Sequence, residues 1–134
     1  MAVGLMQGQF HWVRDDVIVF PEDRDREPHV SRGCVIIEGD ESLADGSPTI
    51  EVIPTSSQIE RKGRYDVVIP SPPVPQPGCV ALVRLLQPIL RSDLKSLVTQ
   101  LDPEWVQQLL AAHLLAIGVR AQDSPVAENI ASAE

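Results

Sequence analysis

The sequence predicts a mainly β protein in which a C-terminal helix docks on a small, strongly bent β-barrel. Two observations carry this prediction. Short apolar segments separated by turn residues fill the first two thirds of the chain, and the hydrophobic period changes to that of a helix after residue 101. With 134 residues the chain has room for one modest core. We therefore expect a single domain over residues 1–119.

The predicted strands are runs of β-forming residues between turn signals. Residues 9–13 alternate polar and apolar side chains, as a half-buried strand does. Further apolar runs predict strands at 17–20, 33–37, 49–53, 65–69 and 79–83, and residues 85–89 continue or follow the last one. We expect the strands at 33–37 and 49–53 to pair antiparallel. Five prolines make 70–78 an extended loop, because proline cannot donate to a sheet ladder.

Helical signals are confined to the last third. Residues 92–97 predict one or two helical turns, and Asp102 followed by Pro103 predicts the start of a longer helix that stops at Gly118. The apolar stripe that would dock this helix recurs at spacings of three and four: Trp105, Leu109, Leu110, Ala112, His113 and Ile117. Residues 120–134 are polar and alanine-rich, which predicts a disordered tail.

Composition narrows the class of protein. The net charge of −8 argues against a protein that coats nucleic acid non-specifically, although Arg61, Lys62 and Arg64 form one basic stripe apart from the acidic loops. No apolar run approaches the ~20 residues of a membrane span, and no secretory signal opens the chain, so we expect a cytoplasmic protein. Cys34 and Cys79 are expected to be buried free thiols, and their spacing predicts neither a metal site nor a cofactor.

The segment that predicts chemistry is a pair of neighbouring strands with a polar edge. Arg32 leads into the first strand, and the second runs out into Thr55, Ser56 and Ser57. A guanidinium and a hydroxyl brought together in this way form a phosphate site. The alternatives are a solvated arginine at a strand edge and hydroxyls that bind their own backbone.

Other side chains leave two interpretations open. His11 and His29 could act as acid–base groups, or lie exposed on a strand and a loop. Trp12 could stack on a base, or pack in the core or at a dimer contact. His113 is expected to be structural.

The order of segments resembles the MazF/PemK (Kid) toxins of bacterial toxin–antitoxin systems over roughly residues 8–118. The matching segments are Gly8 to Val13, Arg32 to Ile37, Val52 to Gln58, Asp66 to Ile69, Gly78 to Leu82, Ile89 to Leu94 and Leu101 to Gly118. The chain departs from the family pattern at three places. Residues 21–29 replace a glycine-rich loop, Gly33 replaces a proline, and Ser56 replaces a threonine but keeps the hydroxyl.

The resemblance implies an SH3-like barrel of the CcdB/Kid/MazF type, a homodimer, and a cognate antitoxin partner. It also implies metal-independent cleavage of single-stranded RNA, in which the ribose 2′-hydroxyl attacks and a cyclic phosphate results. The family's arginine and Thr/Ser positions fall on Arg32 and Ser56, which are the predicted catalytic residues. The predicted substrate-binding residues are Thr55, Ser57, Gln58, Arg61, Lys62 and Arg64.

Two further functions stay open. The first is an inactive toxin-like module that binds a peptide or an antitoxin tail, and the second is a gyrase poison on the same fold. Arginine suits an electrostatic role at the phosphate better than proton transfer, because its pKa is very high.

Overall fold

A computed structural model describes residues 4–21 and 30–119 of the chain. Its elements in chain order are β1 (Gln9–Arg14), β2 (Ser31–Ile36), α1 (Asp40–Ala44), β3 (Thr49–Ser56), β4 (Val67–Ile69), β5 (Cys79–Ala81), β6 (Gln87–Leu90), β7 (Leu97–Gln100) and α2 (Pro103–Ala116). The tail predicted at 120–134 and most of the loop that replaces the family's glycine-rich segment, with His29, lie outside these described residues.

The seven strands form one curled antiparallel sheet. The strand order is β4-β5-β3-β2-β1-β7, and β6 pairs with β3. The long strand β3 is the centre of the sheet, because its first half pairs with β6 and its last two residues pair with β5. β2 pairs with β3 in an antiparallel register that sets Cys34 opposite Pro54. The prediction of a β-rich fold closed by a C-terminal helix is thereby confirmed.

Alternation along the strands gives the sheet two buried faces. On the helix face, Phe10, Val35 and Ile53 lie side by side and pack with Leu109 of α2. On the opposite face, a second core holds Val13, Cys34, Ile36, Ile50 and Val52, among others, and the Leu43 side chain of α1 packs into it. Because both faces are covered, five of the six residues of β2 and five of the eight residues of β3 are buried.

Two local predictions were wrong. The apolar run 17–20 forms no strand, and its first residue ends a 3₁₀ turn at Asp15–Val17. The segment between β2 and β3 contains the short helix α1. Residues 92–97 form no helix beyond a 3₁₀ turn at Arg91–Asp93, and the chain then pairs with β1 as β7. Pairing with the free edge of β1 overrides the local helical pattern.

The closing helix α2 matches its prediction at both ends. Pro103 is the first helical residue, and Gly118 follows the helix with a φ of +93°, a left-handed conformation that glycine adopts without strain. Asp102 occupies the N-cap position, although its side chain makes no capping hydrogen bond. Ile117 is 61% exposed, so it does not belong to the docked stripe. None of the helices in the described part of the chain is long and apolar enough to cross a membrane.

Candidate functional site

Arg32 is buried on the opposite face of the sheet. It lies directly across from Val13 in the β1–β2 pairing, and only 7% of its side chain is exposed. Its Nε donates to the Asp15 carboxylate at 2.8 Å, and Nη1 donates to the Thr55 carbonyl at 2.8 Å. The guanidinium carbon lies 4.7 Å from the centroid of the Phe20 ring. The alternative of a solvated arginine at a strand edge is therefore wrong.

The guanidinium keeps unused donors. Arginine carries five N–H groups, and two of them have acceptors within residues 4–21 and 30–119. The other three have no acceptor in that part of the protein. Because a buried donor without a partner is destabilising, three such groups are suited to an anion that brings its own acceptors. Asp15 holds the Nε edge, so the Nη2 end of Arg32 is the end available to such an anion.

Ser56 shares the face of Arg32. The β2–β3 register pairs Cys34 with Pro54 and ends there, and Arg32 and Ser56 each lie two residues beyond that pair, on the same side of their strands. The Ser56 hydroxyl accepts a hydrogen bond from the Gln58 N–H at 3.1 Å, which leaves its own hydrogen available to donate. The Arg32–Ser56 pair thus stays a prediction for the catalytic site.

The other two hydroxyls lie on the helix face. Thr55 is 3% exposed, and its Oγ1 donates to the Gly33 carbonyl at 3.0 Å. The same hydroxyl takes part in a hydrogen bond with the Cys79 thiol. Ser57, just beyond the end of β3, is exposed on this side. The strand therefore divides the three consecutive hydroxyls between two faces instead of gathering them into one cluster.

A cavity of about 230 Å³, which we call the Trp12 cavity, opens on the helix face. Its lining includes Trp12, Ser31, Arg32, Gly33, Ser57, Gln76 and Cys79, so the cavity reaches the buried arginine from this side. Gly33 is required here, because a Cβ at this position would lie 2.2 Å from Cζ of Phe10. Burial raises the pKa of the Cys79 thiol to about 11, although the Thr55 hydrogen bond lowers it. The thiol is therefore neutral at physiological pH.

A larger cavity of about 740 Å³, which we call the arginine groove, is lined by Phe20, Arg64, Tyr65 and Arg84, among others. The Arg64 guanidinium carbon lies 5.1 Å from the centroid of the Tyr65 ring. Phe20 lines this groove and also contacts the Arg32 guanidinium, so the groove adjoins the buried ion pair. Cationic and aromatic side chains together are typical of a surface that binds single-stranded nucleic acid.

Sequence reasoning missed Arg84. It interrupts the apolar run after β5 and lies in a 3₁₀ turn, Val83–Leu85, which leaves it exposed at the groove. A lone charged residue between apolar neighbours is the signal that could have identified it. Of the three basic residues predicted to bind substrate, only Arg64 lines the groove, while Arg61 and Lys62 are exposed beside it on the 3₁₀ turn at Ile59–Arg61 and just after it.

The histidines have structural surroundings. His11 was expected to be exposed, but it is 5% exposed and its ring nitrogens lie within hydrogen-bonding distance of the Lys95 carbonyl and Gln9 Oε1. Its acid–base role is therefore not supported. His113 Nδ1 lies 2.7 Å from the Val83 carbonyl, which ties α2 to the neighbouring turn. In the described ranges, no three His, Cys, Asp or Glu side chains are grouped as metal ligands would be.

No family model and no curated protein matches the sequence. Solved structures, in contrast, match its fold over most of the chain. The Mycobacterium tuberculosis toxin MazF-mt6 superposes with a TM-score of 0.65 at 15% identity, covering 84% of this chain and 98% of that one. MazF in the MazE–MazF complex of Deinococcus radiodurans gives 0.65 at 10% identity, covering 89% and 100%.

A third structure, described as an endoribonuclease in complex with its cognate antitoxin from Mycobacterial species, gives a TM-score of 0.64 at 11% identity. The alignment covers 87% of this chain and 97% of that one. The match spans nearly the whole of each neighbour, so it describes the entire barrel and not a shared fragment. The chain is a divergent protein with the fold of the MazF toxins.

Proposed function

We propose that the protein is a toxin-like endoribonuclease that cleaves single-stranded RNA without a metal. One observation carries the proposal. In a barrel with the MazF fold, the buried Arg32 has three N–H groups without an acceptor among residues 4–21 and 30–119, and Ser56 follows the end of its pairing on the same side of the neighbouring strand. A cation with a planar set of donors beside a hydroxyl is suited to a phosphodiester.

The reaction is attack of the ribose 2′-hydroxyl on the adjacent phosphorus, which gives a cyclic phosphate and releases the 5′-oxygen as a hydroxyl. Negative charge grows on the phosphate oxygens in the transition state. The free N–H groups of Arg32 and the hydroxyl of Ser56 donate to those oxygens. Asp15 acts as a positioning residue, because its bond to Nε fixes the plane of the guanidinium.

The arginine groove holds the RNA strand next to this pair. Arg64 and Arg84 contact phosphates, and the Tyr65 ring offers a surface on which a base stacks. Arg61 and Lys62 extend the positive surface beyond the groove. On a chain with a net charge of −8, this local cationic strip confines RNA to one side of the protein.

The test is incubation of defined single-stranded RNA with the protein in EDTA, followed by analysis of the fragment ends. We expect fragments with cyclic phosphate ends, and a loss of about 100-fold or more in rate for Arg32→Ala. Ser56→Ala should also be slow, whereas Ser56→Thr keeps the hydroxyl and should retain activity. RNA that stays intact at high protein concentration, or cleavage unaffected by either substitution, would overturn the proposal.

The second candidate is a non-catalytic binding module, and the Asp15–Arg32 ion pair favours it. The carboxylate, like the guanidinium, is only 7% exposed, so the positive charge is already neutralised inside the protein. A module of this kind would bind RNA or a peptide in the arginine groove and leave it uncut. Binding that depends on Arg84 but never produces fragments would identify the module.

The proposed partners follow from the same fold. We propose a cytoplasmic homodimer and a cognate antitoxin that lays an extended acidic segment over the arginine groove. Two of the matched structures are complexes with antitoxins. Light scattering of the purified protein tests the dimer. A peptide with several acidic residues that competes with RNA for wild type, but not for Arg84→Glu, would support the antitoxin site.

A further inference from the structure

We propose that Gln87 is a positioning residue, whose side-chain amide holds residues 18–21 so that the Phe20 ring stays against the guanidinium of Arg32. We call these four residues the 18–21 segment. Phe20 also lines the arginine groove, so Gln87 acts on the candidate catalytic site without contacting RNA itself. The effect on cleavage rests on the proposed function, whereas the effect on the position of Phe20 is independent of it.

The Gln87 side chain binds the backbone of Val19 through both ends of its amide. Its Oε1 accepts from the Val19 N–H at 2.9 Å, and its Nε2 donates to the Val19 carbonyl at 3.2 Å. A side-chain amide offers the same kinds of donor and acceptor as a peptide group, so these two bonds replace one bridge of a sheet ladder. The 18–21 segment is thereby joined to β6, although it forms no strand.

A third bond ties the same amide to another part of the groove. Gln87 Nε2 also donates to the Leu85 carbonyl at 2.9 Å, and Leu85 ends the 3₁₀ turn that carries Arg84. Both the 18–21 segment and this turn line the arginine groove. One side chain therefore joins two segments of the groove, and its two N–H groups and its carbonyl all have partners.

The anchoring of the 18–21 segment depends on this amide. Ile18 is buried in the second core, but the Val19 side chain is 71% exposed and adds little packing. Phe20 comes next, and the Arg32 guanidinium carbon lies 4.7 Å from the centroid of its ring. Asp15 holds the Nε edge of the guanidinium, and the Phe20 ring restricts its tilt. Donors that stabilise a transition state must be held in place before the reaction, so a loosened Phe20 should slow cleavage.

The first test observes Arg32 by heteronuclear NMR of its Nε–H group. This group is buried and bonded to Asp15, so its proton should exchange slowly enough to be detected. The ring current of Phe20 contributes to its chemical shift. We expect Gln87→Leu, which removes the three hydrogen bonds, to move this signal toward its position in Phe20→Leu. An unchanged signal in Gln87→Leu would overturn the proposal.

The control for this substitution is Gln108→Leu, at an exposed residue of α2 that lines neither cavity, and it should leave the Arg32 signal in place. Circular dichroism checks that each variant is folded. If Gln87→Leu does not fold, Gln87→Glu replaces it in the test. A glutamate keeps the acceptor for the Val19 N–H but cannot donate to the two carbonyls, so the same shift is expected.

The second test is the rate of RNA cleavage. We expect Gln87→Leu to lower kcat about tenfold and to change KM less than about twofold, because the orientation of Arg32 is disturbed while Arg84 still binds phosphate. Since Gln87 acts through Phe20, the double variant Gln87→Leu/Phe20→Leu should be no slower than Phe20→Leu alone. Losses that multiply in the double variant, or a raised KM with an unchanged kcat, would overturn the proposal.

Failure of this proposal is distinguishable from failure of the nuclease. If the wild-type protein cleaves RNA in an Arg32-dependent way but Gln87→Leu leaves the Arg32 signal and kcat unchanged, the positioning role alone is wrong. If the Arg32 signal moves in Gln87→Leu but the wild-type protein leaves RNA intact, the nuclease alone is wrong, and Gln87 still positions Phe20.

Discussion

The two faces of the sheet, where β2 and β3 end together, are made from alternate residues of the same strands but differ in chemistry. The opposite face carries a buried ion pair, Arg32 with Asp15. The helix face carries the buried Thr55 hydroxyl and the Trp12 cavity, whose lining also includes Arg32. A single strand end thereby carries a buried ion pair on one side and, on the other, a cavity that reaches the same arginine.

Because side chains alternate between the two faces of a strand, neighbouring residues of β2 and β3 meet different surroundings. On the opposite face, the Arg32 charge is buried next to the Asp15 carboxylate that neutralises it, so an ion pair holds this part of the face together. The chamber exists because Gly33 has no side chain and leaves space for the Phe10 ring. The first face thus depends on a buried ion pair, and the second on close packing around an aromatic ring.

The largest expected effect comes from breaking the ion pair. Arg32→Ala removes the guanidinium that pairs with the buried Asp15 carboxylate, which should lower the free energy of unfolding by about 3 kcal/mol. Urea denaturation measures this change. The matched control is Arg14→Ala, which breaks an exposed pair with Asp16 at 3.3 Å, where the two side chains are 64% and 74% exposed. That loss should stay within about 1 kcal/mol.

Similar losses for the two arginine variants would contradict the account of the opposite face. A double-mutant cycle with Asp15→Ala tests directly whether the two side chains interact. If the pair interacts directly, Arg32→Ala with Asp15→Ala should be less destabilising than the sum of the two single substitutions. This cycle also separates loss of folding from loss of RNA cleavage in the Arg32 variant.

The second effect tests the helix face. Gly33→Ala places a Cβ 2.2 Å from Phe10 Cζ and 2.8 Å from Thr55 Oγ1, so the packing around the cavity must shift. We expect a loss of about 1–3 kcal/mol in unfolding free energy, as overpacked cores show. Gly4→Ala is the control, because a Cβ there has no neighbour within 4 Å. Equal stability of these two variants would mean that the face is not tightly packed.

Much of the fold could be predicted from local sequence. β1, β2 and β3 are apolar runs with clear turn signals, and Pro103 with Gly118 marks the ends of α2. These features are local, so the sequence carries them directly. β7 could not be predicted in this way, because it forms only where β1 leaves an edge to pair with.

The candidate site also combines features that local sequence predicts with contacts that it does not predict. Arg32 and Ser56 could be placed on one face, since both follow from strand alternation and register. The partner of Arg32 could not be identified, because Asp15 follows β1 and meets the arginine only across the sheet. The contribution of Arg84 to the arginine groove could not be predicted either, because the groove is formed by segments that are distant in the sequence. Contacts between distant segments decide which polar residues are paired and which remain available.

The third prediction concerns the arginine groove. Arg84→Glu reverses a charge in this lining and should weaken the binding of single-stranded RNA about tenfold, with a salt slope smaller by about 0.7 for each lost phosphate contact. Fluorescence anisotropy at several salt concentrations measures both quantities. Lys95→Glu is the control, because this exposed lysine lines neither cavity. An equal loss of affinity in the control would attribute the effect to net charge and not to the groove.

The smallest expected effect uses one cysteine from each face. Burial raises the pKa of Cys34, in the core of the opposite face, to about 12. The pKa of Cys79, in the Trp12 cavity, is raised to about 11. Thiolate is the reactive form, so a raised pKa slows alkylation. Relative to the ordinary value of 9.0, a thiol with a pKa near 11 carries about 100-fold less thiolate at neutral pH.

We therefore expect both thiols to react slowly with iodoacetamide in the folded protein, and Cys79 to react about tenfold faster than Cys34. Mass spectrometry of peptides sampled over time measures the two rates, and the unfolded protein in urea gives the reference. The rates should rise with pH, because the raised pKa values keep both groups protonated near neutrality. Equal rates for the two cysteines, or rates as fast as in the unfolded protein, would contradict this account of their burial.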